Sequence, residues 1–144
     1  MRSKSPPIID ILLIEDNPGD VGLFNAFFAQ NNERCRFHLA KDGEEALDFL
    51  LAPSPVARPH LIVLDINIPR ISGTEVLKTL KAHPDLKTIP VVVLTSSESR
   101  DDLRMSYEYG ANCVLIKPSE VEGVISLFQA MEVFWLEKVR YWVP

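Results

Sequence analysis

The chain has 144 residues, 47% of them apolar, and a formal net charge of −5 at pH 7. That length suits one compact domain, and that apolar share excludes a disordered chain. The dense basic stretch from Lys138 to Arg140 is too short for a polybasic patch, which argues against direct nucleic-acid binding, and no apolar run approaches the roughly 20 residues of a membrane span.

In chain order, Met1 to Pro7 is mildly basic with no apolar core or cleavage pattern behind it. It reads as a loose N-terminal arm rather than a signal peptide, with residues 8–144 as a single domain. Ile8 to Ile14 is almost wholly apolar, broken only by Asp10, and reads as a strand buried on both faces, as in a parallel sheet. Asn17 followed by Pro18 opens a first helix. Cys35 to Leu39 alternates Cys, Arg, Phe, His, Leu, the pattern of a half-exposed edge strand. Asp42 with Glu45 starts a second helix in capping-box form, and the proline-rich stretch from Pro53 to Pro59 is a loop. Leu61 to Leu64 is a further buried strand, and Ser72 with Glu75 opens the third helix. Val91 to Leu94 is the fourth strand; Ser99 precedes an acidic first turn, and Gly110 closes that helix. Val114 to Ile116 is the fifth strand, and Ser119 precedes the acidic start of a last helix that begins near Glu120 and runs past Met131. Cys35 and Cys113 lie in apolar segments without zinc spacing and read as buried, reduced thiols of a cytosolic protein. His38, His60 and His83 are scattered, and no role is assigned to them.

Strand and helix alternate throughout, which predicts a doubly wound α/β three-layer sandwich, (βα)5. The alternating second strand belongs at an edge, so the parallel sheet takes the order 2-1-3-4-5, with its switch point between strands 1 and 3. Ligands of such sheets bind at the carboxyl ends of the strands around that point. Those ends carry Glu15 and Asp16 after strand 1, Asp65 after strand 3, Thr95 after strand 4 and Lys117 after strand 5. Each alone reads as a cap or a solvated charge; together they are complementary groups on four neighbouring strand ends. Carboxylates so crowded repel one another unless a hard cation neutralises them, and Mg²⁺ suits a site of one or two carboxylates with water and phosphate oxygens. The backbone carbonyl of Asn67 is placed to add a ligand. Asp65 could then attack phosphorus as a carboxylate nucleophile, with Lys117 and the Thr95 hydroxyl holding the phosphoryl oxygens. The crowding also predicts that Asp16→Asn raises stability without metal.

The segments Leu12 to Asn17 (LLIEDN), Ile62 to Pro69 (IVLDINIP), Ile71 to Glu75 (ISGTE), Pro90 to Ser96 (PVVVLTS) and Gly110 to Pro118 (GANCVLIKP) resemble the receiver domain of two-component response regulators, from about Ile8 through the last helix. The resemblance implies a CheY-like, flavodoxin-like fold. It implies an acid pair at Glu15 and Asp16, the phosphorylation site at Asp65, and the hydroxyl and lysine at Thr95 and Lys117. It also implies Mg²⁺-dependent phosphoryl transfer from a partner histidine kinase to a cytoplasmic, stand-alone regulator with no output domain, which is not itself a turnover enzyme. The tail, with Phe134, Trp135 and Leu136, and the connection from His83 to Pro90 resemble the small regulators paired with phytochromes. Receivers usually place Tyr or Phe three residues before the lysine; here Val114 stands there, and Tyr107 or Tyr109 of the fourth helix are candidates to substitute. The fourth helix and fifth strand are the expected responding face.

Rival readings fit less well. A dinucleotide site needs a Gly-rich turn after strand 1, where this chain has Glu-Asp-Asn-Pro-Gly-Asp. A haloacid-dehalogenase-type phosphatase wants a second Asp two residues after the nucleophile, where this chain has Asn67. A phosphorylation-independent module on the same scaffold would have lost part of the acidic set. Finally, Val121, Val124, Ile125, Phe128 and Met131 form one apolar stripe, and Leu127, Val133, Phe134, Trp135, Leu136 and Val139 widen it. That predicts a homodimer on the last helix and strand 5, with Phe134, Trp135 and Leu136 at the interface. The other arrangement folds Phe134 to Trp142 back on its own domain.

Overall fold

The computed structural model describes residues 8–28, 33–53 and 58–142. The expected N-terminal arm, and the middle of the loop between Pro53 and Pro59, lie outside the described residues. The elements are β1 (Ile9–Ile14), α1 (Pro18–Phe28), β2 (Cys35–Ala40), α2 (Gly43–Leu51), β3 (Leu61–Asp65), α3 (Gly73–Ala82), β4 (Val91–Thr95), α4 (Arg100–Glu108), β5 (Cys113–Ile116) and α5 (Val121–Val133). The strands form one parallel sheet in the order β2-β1-β3-β4-β5, as the alternation of patterns predicts. Among the described residues no helix is long and apolar enough to cross a membrane.

Every residue of β1, β3 and β4 is buried, because helices cover both faces of the sheet. On one face Leu12, Ile14, Ile62, Leu64, Val91 and Val93 pack against Val76, Leu77 and Leu80 of α3 and Ala46 and Leu50 of α2. On the other, Ile11, Leu13, Val63, Val92 and Leu94 meet Phe24 and Phe28 of α1 and Val124, Phe128 and Met131 of α5. Each Val, Leu, Ile, Phe or Met side chain among them contributes about 1.5–3 kcal/mol when fully buried. The exception inside β1 is Asp10, buried but ionically satisfied. Arg36 donates to both its carboxylate oxygens at 2.9 and 3.2 Å, and His38 Nε2 lies 3.1 Å away. The Asp10 backbone N–H donates to His60 Nδ1 at 2.9 Å. Burial raises the Asp10 pKa, but the bonds and charges of Arg36 and His38 win and hold it below the usual carboxylate range. His38 and His60, which sequence reading left without a role, are thus structural partners at the end of the sheet remote from the strand-end acids.

The helix starts follow their sequence signals with one exception. The side chains of Asn17, Asp42, Ser72 and Ser99 accept from the backbone N–H groups of Asp20, Glu45, Glu75 and Asp102. Ser119 does not cap α5; the cap position falls on Glu120, which makes no side-chain cap bond. Gly110, at φ 106°, ends α4: its N–H donates to the Tyr107 carbonyl and the next N–H, of Ala111, to that of Ser106. A left-handed turn of this kind favours glycine.

After Val133 the chain widens into a π-helical turn, Phe134–Lys138, closed by the Val139 N–H on the Phe134 carbonyl at 3.0 Å. Trp135 and Leu136 thereby enter the core beneath α1 and α5, while Phe134 stays 51% exposed. The expectation that Trp135 and Leu136 form a dimer interface is therefore corrected: both are consumed inside their own domain. The side chain of Arg34, ahead of β2, donates to the Leu136 carbonyl, and the Tyr141 hydroxyl donates to the Trp135 carbonyl at 2.8 Å. Val139 and Tyr141 lie partly buried against the same core, so the tail does fold back, although Trp142 remains 82% exposed. Trp135→Ala is expected to cost about 3–5 kcal/mol in a urea-unfolding experiment; a loss below about 1 kcal/mol would show that the turn adds nothing to the core.

Candidate functional site

Sheet register sets the site. Ile14 lies beside Leu64, so Glu15 and Asp65 follow at adjacent strand ends. Asp65 itself pairs with Leu94, and Thr95 with Ile116, so Thr95 and then Lys117 continue the row. Glu15, Asp16 and Asp65 each present a carboxylate oxygen, all within 4.8 Å of one another. This is a set of hard oxygen donors of the kind that holds a divalent cation. Among the described residues it is the one such group of three or more potential metal ligands. Glu15 is only 2% and Asp65 6% exposed, whereas Asp16 is open to solvent.

The lysine closes the arrangement. Lys117 Nζ donates to Glu15 Oε1 at 2.8 Å, to Asp20 Oδ2 at 2.8 Å and to Asp65 Oδ2 at 3.4 Å. The Asn67 N–H donates to Asp65 Oδ1 at 2.9 Å, which fixes that carboxylate's plane. Buried Thr95 accepts from the Ser97 N–H at 3.0 Å, leaving its own hydrogen free to donate. The loop after β3 is clamped from below. A Cβ on Gly73 would stand 2.7 Å from the Ile66 carbonyl oxygen, so only glycine lets α3 start this close to Asp65. Arg70, at φ 67°, holds the same loop to α2 through a 2.7 Å bond to Glu44.

Burial, and Asp65 beside it, push the Glu15 carboxyl up to about 8. Burial alone would depress the Lys117 ammonium, but its bonds to Asp20 and Glu15 and the nearby Asp65 charge raise it above the ordinary lysine value. The carboxylate crowding expected from the sequence bears on buried Glu15, through burial and the Asp65 carboxylate beside it. The structure also adds a residue that sequence reading passed over. Asp20 sits in the first turn of α1, where an acid ordinarily complements the helix dipole.

From Thr95 a polar chain leads outward: the Ser97 hydroxyl donates to Asp102 Oδ2 at 2.6 Å in the first turn of α4. At the far end of that helix the Tyr107 hydroxyl accepts the Val114 N–H of β5 at 3.2 Å. Tyr107 is thus the tyrosine that hydrogen-bonds β5 beside the missing aromatic; Tyr109 packs on the same core as Val114, with Lys78 Nζ 4.4 Å from its ring centre.

A family model described as the response regulator receiver domain matches residues 11–129. Response regulator Rcp1 of Synechocystis sp. is 39% identical over 142 residues, covering 96% of this chain and 97% of its own length. The crystal structure of the Mn²⁺-bound form of Rcp1 superposes with a TM-score of 0.89 at 38% identity, over 94% of this chain and 99% of that one. The phosphorylated cyanobacterial phytochrome response regulator RcpA superposes with a TM-score of 0.88 at 34% identity, over 94% and 99% of the two chains. With the sheet order, the strand-end acids and the apposed lysine all in place, this chain belongs to the response regulator receiver domain family.

Proposed function

We propose that Asp65 accepts a phosphoryl group from a partner histidine kinase, of phytochrome type, and that the chain works as a switch in a two-component phosphorelay. The observation that carries this reading is the meeting of Lys117 with Asp65 and Glu15 at the head of the acidic trio. The phosphorylated form of RcpA and the Mn²⁺-bound form of Rcp1 support it by likeness. In the transfer, a carboxylate oxygen of Asp65 bonds to phosphorus as the P–N bond to the kinase imidazole breaks. The electron pair leaves with the imidazole nitrogen, which takes a proton from solvent. Lys117 and the Thr95 hydroxyl receive the phosphoryl oxygens. The acidic trio fits Mg²⁺, with Glu15, Asp16, Asp65 and the Asn67 carbonyl as its holders, and the bound ion supplies charge neutralisation for the incoming phosphoryl group. The protein takes up one phosphoryl group rather than turning substrate over. The proposed setting is cytoplasmic, in keeping with free thiols at Cys35 and Cys113. Incubation with acetyl phosphate and Mg²⁺, followed by mass spectrometry of peptides, tests the reading: one adduct on Asp65 is expected, and an adduct elsewhere overturns it.

The added charge of about −1.5 to −2 beside Thr95 biases the chain of bonds through Ser97 to Asp102, so α4 and its contact with β5 are the proposed responding face. Homodimerisation is part of the same proposal, now resting on exposed Phe134, Val133 and Val121 with Ile116 of β5. Such a contact buries about 1,200–2,000 Å² in total. Sedimentation should show self-association of the wild type and a monomeric Phe134→Asp that still unfolds cooperatively. A wild type that stays monomeric at high micromolar concentration, with and without a phosphoryl mimic, removes the dimer.

A further inference from the structure

Lys117 has three N–H donors, and three carboxylates already share them. The longest of the three contacts, 3.4 Å, goes to Asp65, while Asp20 holds the ammonium at 2.8 Å. Glu15 and Asp65 are members of the acidic trio; Asp20 is not. Asp20 reaches in from α1, its backbone fixed where its N–H donates to Asn17 Oδ1 at 3.1 Å, and its side chain is 19% exposed. Among the described residues its carboxylate has no side-chain partner other than Lys117.

We infer that Asp20 is a positioning residue that draws Lys117 aside in the unphosphorylated protein and yields it when a phosphoryl group arrives on Asp65. The inference rests on the function proposed above. A phosphoryl group brings three strong acceptor oxygens, and Lys117 can serve one only by leaving a present partner. Glu15 is buried and Asp65 carries the group itself. Asp20 stands nearest to water, so it is the partner that separates at least cost. The strength of the Asp20 bond therefore sets how tightly the site holds a phosphoryl group. A plain helix-end acid would affect stability alone.

The experiment uses the full chain with Mg²⁺ and beryllium fluoride as phosphoryl mimic, followed by fluorine NMR titration. Asp20→Asn is expected to bind the mimic about fivefold or more tightly than the wild type. In a Lys117→Gln background the same substitution is expected to change nothing, because its effect passes through the ammonium. An equal gain in both backgrounds would mean that Asp20 acts only as a negative charge near the site, and overturns the inference. So does an unchanged affinity accompanied by a shifted melting temperature. Should Lys117→Gln bind too weakly to titrate, the gain at about 0.5 M salt decides: a contact persists there, and an effect of the general field fades. A wild type that neither binds the mimic nor takes phosphate on Asp65 removes the proposed function and this role together. A wild type that binds, with Asp20→Asn indifferent, removes this role alone.

Discussion

Asp65→Asn is expected to lower phosphoryl labelling from acetyl phosphate or a kinase by more than about a hundredfold, a barrier increase of about 2.7 kcal/mol or more. The amide nitrogen carries no free anionic pair, and the remaining amide oxygen is a poor nucleophile toward phosphorus. The substitution is nearly isosteric, and the Asn67 N–H can keep its acceptor on the side chain. One interaction is lost, the contact from Lys117, but that ammonium retains Glu15 and Asp20. Removing the Asp65 charge also relieves Glu15, so the variant should melt no lower than the wild type without metal. Loss of labelling with preserved melting would separate chemistry from folding. Labelling at the wild-type level on some other residue would defeat the assignment of Asp65.

The second large effect is a loss of metal-free stability with rising pH. The Glu15 carboxyl moves from an ordinary value of 4.5 to about 8 in the folded protein. Between those two values the folded state binds a proton that the unfolded state has released. The resulting stabilisation is whole below the unfolded value and disappears as pH climbs through the folded one. Lys117, raised, contributes stability that is lost only at pH above the ordinary lysine range. Asp10, lowered, contributes stability that is lost only in acid. Neither slopes across the window. With chelator present, unfolding free energy should fall by a few kcal/mol between about pH 5 and 8. Glu15→Gln should flatten that slope. Magnesium should raise the wild type most at the alkaline end, where the acids are ionised. A metal-free wild type whose stability is flat or rising over this range would contradict the crowding at Glu15.

How much of this was legible in the amino-acid order follows from what each residue touches. β1, β3 and β4 are buried on both faces, so they show as unbroken apolar runs, and the charged groups after them mark the strand ends. That made the row Glu15, Asp65, Thr95, Lys117 visible. The pairing of Asp10 with Arg36 and of its backbone with His60 is set by lateral neighbours up to 50 residues away, which no local pattern encodes. Asp20 was hidden because a first-turn acid already has a sufficient local reason. Trp135 was recoverable: Val124, Phe128 and Met131 extend at the same helical spacing to position 135. Counting the stripe only to Met131 turned a core residue into surplus surface. The π-helical turn then brings Leu136 in beside it and leaves Phe134 outside.

The bond from the Val114 N–H to the Tyr107 hydroxyl also bears on how this sheet meets other chains. β5 is a terminal strand, and its outward backbone donors are a template on which a foreign strand could grow. At Val114 that template is already occupied by a side chain from α4. A second polypeptide running alongside β5 must evict the tyrosine before it can form a ladder. At that position a neighbouring chain meets side chains, which read shape and charge, before it can reach the main chain, which accepts almost any sequence. Sheet extension along β5, and the fibre growth it seeds, is thereby obstructed at that position.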